Sequence, residues 1–136
     1  MLELYTEEHD GWYPRGGATP LDSLVAAITS GQGGETVHLV TSHALAPRAE
    51  ACYRETGRLT PDLSCYRYNP GLRADDPPGL VVVYYAWPTR WASRFRRVDE
   101  VGRAALLHRQ RWTFLSEEDF AAAQERTRAA LTGRAR

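Results

Sequence analysis

The chain contains no lysine; all 17 of its basic residues are arginine. Chemistry that depends on an ε-amine is therefore excluded, including Schiff-base catalysis and the phosphate-binding lysine of a P-loop. Abundant Ala, Gly and Pro beside this bias give the composition of a high-GC bacterial genome, where arginine codons displace lysine codons, so arginine clusters carry less functional weight than elsewhere. Cysteine is nearly as scarce. Cys52 and Cys65 are too few for the disulfide framework of a small secreted domain, and two reduced thiols are expected. They form no Cys-x-x-Cys pair, which argues against structural zinc. The longest apolar run, Leu80 to Trp87, has eight residues, too short to cross a bilayer. Met1-Leu2-Glu3-Leu4 puts an acid where a secretory signal carries positive charge, and no apolar stretch with a small-residue cleavage site follows. The expectation is a cytoplasmic protein with no membrane partner.

What is present is ordinary for a globular protein. The chain has 136 residues, 43% hydrophobic and 25% charged, which predicts one domain over 1–136 that buries roughly two thirds of its unfolded surface. Charge is uneven: residues 1–79 hold 6 Arg against 11 Asp and Glu, and residues 80–136 hold 11 Arg against 6. The halves cancel, either by attracting each other or because the second presents a basic face to a phosphate-bearing ligand.

Leu2 to Tyr5 reads as a short strand, followed by a polar turn-rich segment to Gly17. Thr19, Pro20 and Asp22 form a capping pattern for a helix whose face is Leu21, Leu24, Val25 and Ile28, ending at Gly31. Thr36 to Thr41 alternates and is β-branched. A second helix over Ala46–Thr56 ends at Gly57, with Ala49, Cys52 and Tyr53 inward and Ser42 placed to cap it. Leu63 to Tyr68 is a strand closed by Asn69-Pro70-Gly71, and Asp75-Asp76-Pro77-Pro78-Gly79 is another turn. Leu80 to Trp87 reads as a central strand. Residues 88–101 fit either a helical face of Trp91, Phe95 and Val98 or an edge strand from Phe95 to Val101. In the last helix Ser116 is the cap, Asp119 answers it, Leu115 and Phe120 form a staple, and Phe120, Ala123, Thr127 and Leu131 point inward to a stop at Gly133. These elements predict an α+β fold with a mixed sheet of about five strands, whole or split, and three to four helices. A three-layer α/β sheet is the alternative.

No motif names a reaction. Gly-x-Ser-x-Gly is missing, and Ser42 lacks the glycines of a nucleophile elbow. Glu7, Glu8, His9 and Asp10 are adjacent in sequence, a poor geometry for converging on one ion, and read as a solvated turn. His38 and His43 lack a third ligand, so no metal is expected. Gly31-Gln32-Gly33-Gly34 precedes a strand rather than opening a helix, the wrong setting for a phosphate cradle. From Trp87 to Trp112 aromatics alternate with arginines at 90, 94, 96, 97, 103, 109 and 111. That mixture suits nucleic acid, but zero net charge and helically spaced rings that face a core weigh against it.

One likeness spans several elements. Leu4-Tyr5-Thr6, the capped helix, Val37 to Ser42, the alanine-rich helix, Cys65 to Tyr68 and the acidic turn Ala74-Asp75-Asp76-Pro77 follow an order that resembles the small ADP-ribosyltransferases, nearest the rifamycin-modifying type. Pro88 to Val98 is similar to a late segment there. The resemblance implies a split mixed sheet gripping NAD, and transfer of its ADP-ribose to an acceptor with loss of nicotinamide. Asp75 or Asp76 would be the carboxylate that stabilises an oxocarbenium-like transition state or activates the acceptor. Thr6 would stand where the family places a histidine and His38 near its nicotinamide-packing tyrosine, with Tyr5, Ser42 and Arg90 completing the cofactor-binding set. Thr6 and His38 both depart from the family pattern. A small-molecule ligand is the partner this implies. The alternative is a non-catalytic binding domain presenting Trp91, Phe95, Trp112 and nearby arginines to a nucleic acid or a protein.

Overall fold

The structure, a computed structural model, describes residues 6–15, 20, 24, 25, 41, 42, 44–93 and 96–134, and of 90–93 and 96–100 the backbone alone. The chain forms two compact units, Met1–Ala74 and Asp75–Arg136. The expected strand Leu2–Tyr5, all of the expected strand Thr36–Thr41 except Thr41, the Gly31–Gly34 turn, His43 and most of the first capped helix lie outside the described residues. Of that helix, Pro20, Leu24 and Val25 are helical, and the last two are buried.

In the first unit, Thr6 opens one helical turn, and its carbonyl accepts the N–H groups of His9 at 3.3 Å and Gly11 at 2.8 Å. Asp10 and Gly11 then take left-handed φ values of 55° and 81°, which swing Trp12 against Arg73 in an antiparallel bridge. Tyr13 N–H donates to Leu72 O and Ala74 N–H to Gly11 O. These two bonds flank the bridge and make Trp12–Arg73 a close, non-hydrogen-bonded pair with side chains on one face. Tyr13 and Leu72 are buried. Tyr68 ties the same segment down by donating its hydroxyl to Pro14 O.

Helix α1, Ala46–Thr56, runs as the sequence predicts, and Gly57 ends it at φ 69° with its N–H returning to Tyr53 O. Ala46 and Ala49 are buried, while Cys52 and Tyr53 are half-buried; both cysteines are free thiols. Ser42 is not the helix cap. Leu45 takes that place without a side-chain bond, because Ala44 and Leu45 insert a turn in which Ser42 O accepts from Leu45 and Ala46. The strand expected over Leu63–Tyr68 shortens to β1, Tyr66–Tyr68. A 3-10 turn over Pro61–Leu63 precedes it, since proline fixes a φ suited to the first residue of a helical turn. Thr60 hydrogen-bonds Asp62 and, as the largest influence, holds its carboxyl below the ordinary carboxylate value.

The second unit is an antiparallel sheet backed by one helix. Its strands are β2 (Val81–Tyr85), β3 (Thr89–Ser93), β4 (Arg96–Leu107) and β5 (Trp112–Ser116), followed by α2 (Glu117–Arg134). Ala105 of β4 pairs with Tyr84 on one side and Thr113 on the other; Gly102 pairs likewise with Thr89 and Ser116. Hence β2 and β3 succeed each other along one edge of β4, broken by Ala86-Trp87-Pro88, and β5 lines the other edge. The segment 88–101, in the residues described, is therefore two paired strands, Thr89–Ser93 and the first part of β4, rather than a helix. Its Pro88 and β-branched or aromatic residues suit extended backbone, and cross-strand pairing with a long β4 outweighs the helical spacing of its rings. Every pairing described in this unit is antiparallel, and with the helices the chain is of the α+β class.

Val81, Ala105, Leu107, Phe120 and Ala123 form the core between sheet and α2, with Tyr84 and Leu115 packed on them. Burying each large side chain stabilises by about 1.5–3 kcal/mol. Ser116 Oγ accepts Asp119 N–H at 3.1 Å, and Glu117, Glu118 and Asp119 occupy the first turn of α2, where carboxylates oppose the positive end of the helix dipole. The helix passes Gly133 and ends at Arg134. Thr127, fully buried, accepts Val81 N–H at 2.9 Å and donates to Ala123 O at 2.8 Å, tying α2 to β2 beside the irregularity between Val81 and Val83.

Candidate functional site

Each residue implied by the family likeness has its own setting. Asp76 is only 8% exposed, and its carboxylate accepts a hydrogen bond from the guanidinium of Arg134 in an ion pair. A cation in the last turn of α2 also suits the negative end of that helix, so this contact pins the acidic turn to the helix C-terminus. Asp75, next to it, is exposed. Thr6 is buried in the first unit. Ser42 is half-buried, with its hydroxyl accepting Leu45 N–H at 3.3 Å. Of Arg90 the backbone is described, paired with Val101. Tyr5 and His38 lie outside the described residues. The structure thus brings Asp75 and Asp76 together in the second unit, and places Thr6 and Ser42 in the first. Glu7, Glu8, His9 and Asp10 are all exposed. Among the described residues, no three His, Cys, Asp or Glu side chains gather as a metal would require, and no helix is long and apolar enough to cross a membrane.

The sheet of the second unit offers a different constellation. Side chains alternate along a strand. Ala105 and Leu107 face α2, as does Arg103, whose guanidinium carbon lies 4.7 Å from the Phe120 ring centre and whose Nε is 3.3 Å from Glu117. Gly102, Ala104 and Leu106 therefore face away from the helix. Register places Val83 and Trp112 on either side of Leu106, and Phe114 beside Ala104. Along the row Val83–Leu106–Trp112 burial falls steadily: Val83 is buried, Leu106 half-buried and Trp112 50% exposed. Phe114 and Ala104 are half-buried in the neighbouring row. Trp87, 45% exposed, meets the ring of Tyr85 edge-on with 6.0 Å between centres.

Gly102 leaves room for the Phe114 ring on this face. A Cβ there would stand 2.6 Å from the Phe114 ring and closer still to Leu115 O, so only glycine lets the ring cover the strand. The β4–β5 turn adds charge. Arg109, held at φ 59°, and Arg111 are exposed beside Trp112. The turn is braced by Gln110 N–H on Leu107 O, and by the paired bonds of His108 with Leu80 and Gly79. Residues 75–136 hold 11 Arg against 8 Asp and Glu.

No protein-family model, curated protein or solved structure matches the chain. Trp112, Arg109 and Arg111 are within the aromatic–arginine stretch that the sequence singles out. Phe114 and Tyr85 lie outside it, and Leu106 lies inside it but is neither ring nor arginine; Trp112 to Leu115 is polar only at Thr113 and gives no sign of which side is open.

Proposed function

We propose that the chain is a non-catalytic binding module whose sheet face over β4 and β5 takes single-stranded nucleic acid. The observation that carries this reading is the half-exposed Trp112, level with Phe114 and Leu106 on the side of the sheet away from α2, next to two exposed arginines. Flat rings on a strand pair stack bases of any sequence, while guanidiniums at the rim meet phosphates. The main objection raised by the sequence, that its rings face a core, does not apply to Trp112 or Trp87. Base stacking on one ring contributes roughly 1–3 kcal/mol, so Trp112→Ala lowers affinity for a labelled oligothymidylate by about 5- to 150-fold. Arg109→Gln and Arg111→Gln each flatten the dependence of log affinity on log salt by about 0.7. Fluorescence anisotropy across a salt series reads both. Absence of binding at low salt, or binding indifferent to Trp112, sinks the reading.

A second, enzymatic reading is NAD-dependent ADP-ribosyl transfer at the Asp75–Asp76 turn. In this reading nicotinamide departs from the ribose anomeric carbon, an acceptor oxygen bonds to that carbon, and the acceptor's proton passes to a carboxylate. The Arg134–Asp76 ion pair fixes the turn, and Asp75, exposed beside it, is the candidate base. Calorimetry with NAD on the wild type and on Asp75→Asn is the test. No heat at millimolar NAD removes this reading and leaves the binding module intact.

A further inference from the structure

The two rings that β5 places on the face away from α2 are set apart. Trp112 pairs with Leu106 and Phe114 with Ala104, so the two side chains leave the strand about 6.7 Å from each other, two residues along. The Phe114 ring then leans further off. Its Cε1 and Cζ lie 2.6 and 2.7 Å from where a Cβ on Gly102 would stand. Gly102 is the next residue beyond Ala104 on that face and pairs with Ser116, on the side opposite to Leu106 and Trp112. Successive bases of a stacked strand are about 3.4 Å apart. Two neighbouring bases seated one on each ring therefore bridge about twice the stacking distance. They cannot also lie on each other.

We propose that this face takes pyrimidine-rich single strands in preference to adenine-rich ones, an inference that rests on the reading of the face as a nucleic-acid site. Adjacent bases must part before each meets its ring. Thymines stack weakly on their neighbours and lose little by parting, whereas adenines give up a contact they already had. Stacking of a base on a protein ring is itself tolerant of sequence, so the preference comes from the strand's own stacking and flexibility. The exposed Arg109 and Arg111 beside Trp112 act on both strands alike, because both carry the same phosphates. The preference is about three- to tenfold, the upper figure being the cost of opening one full base-pair step.

The test is fluorescence anisotropy of the full chain with short labelled oligomers of deoxythymidylate, deoxyuridylate and deoxyadenylate at low salt. Each is measured in the cold and at a temperature where adenine stacks open. Thymidylate and uridylate are expected to bind alike, both about three- to tenfold tighter than adenylate in the cold. The gap narrows on warming, as the adenines part on their own. In Trp112→Ala one ring of the pair remains, adjacent bases need not part, and the gap closes as affinity falls. Adenylate binding as tightly as thymidylate in the cold overturns the preference, and so does a gap that warming or Trp112→Ala leaves unchanged. Uridylate following adenylate also overturns it, since the thymine methyl and not stacking would then decide. These results leave the face as a site for any single strand. Absence of binding by all three oligomers overturns this inference together with the reading beneath it.

Discussion

Thr127 provides a sharp test of how the second unit is held together. It sits in mid-helix, fully buried, and its hydroxyl accepts the Val81 N–H while donating to Ala123 O. Thr127→Val keeps the shape and removes the acceptor. Val81 N–H then lies buried beside a methyl group, and an orphaned buried donor costs roughly 1–3 kcal/mol. Thr127→Ser keeps the hydroxyl and removes one methyl, a loss of about 0.8 kcal/mol in transfer terms. The expected order of stability is therefore Thr above Ser above Val. In urea, with m of roughly 1–3 kcal/mol/M, the Val variant shifts the midpoint by about 1 M at unchanged m. Amide hydrogen exchange at Val81 gives the local readout, since protection there falls in the Val variant and persists in the Ser variant. A Val variant as stable as wild type, or more stable than the Ser variant, would refute the claim that this hydroxyl ties helix to sheet.

Gly102→Ala forces the Phe114 ring and the Leu115 carbonyl apart; it destabilises by about 1–3 kcal/mol and exposes or displaces Phe114, visible as a changed near-ultraviolet circular dichroism. Burial raises the Tyr66 phenol above its ordinary value of 10.0, with Cys65 adding a smaller electrostatic contribution. The folded chain then keeps this proton to higher pH than the unfolded chain. Stability is accordingly full below about pH 10 and falls as pH rises through the raised value. Urea midpoints measured from pH 9 to about pH 11 should decline less in Tyr66→Phe than in wild type, and equal declines would contradict the assignment.

The elements that were legible in the sequence are those fixed by neighbours along the chain. Ser116 with Asp119 marks the start of α2, Gly57 marks the end of α1, and the Asp-Asp-Pro-Pro-Gly run marks the turn before β2. Each is a local backbone requirement met by residues a few positions apart. What stayed illegible depends on pairing at long range. Residues 88–101 carry both periodicities, and the partner strand decides between them. Trp12 and Arg73 are separated by most of the first unit, so nothing local announces their bridge. The hydroxyl of Thr127 looks like a neutral position on an apolar stripe until Val81 is seen to donate to it. The same holds for the candidate site: the aromatic and arginine content of 87–112 is plain in sequence, while the open side of the sheet follows only from the register of β4 with β2 and β5. Asp76 shows the reverse case, a residue conspicuous in sequence whose carboxylate is engaged by Arg134.

The binding reading is tested most directly by mapping amide shifts of the labelled chain on addition of an oligothymidylate at low salt. The account predicts a contiguous set of perturbed residues at Ala104, Leu106, Trp112 and Phe114, extending to Arg109 and Arg111, with the exposed side of α2 at Glu125 and Arg128 unchanged. Perturbations confined to α2, or none at all, contradict it.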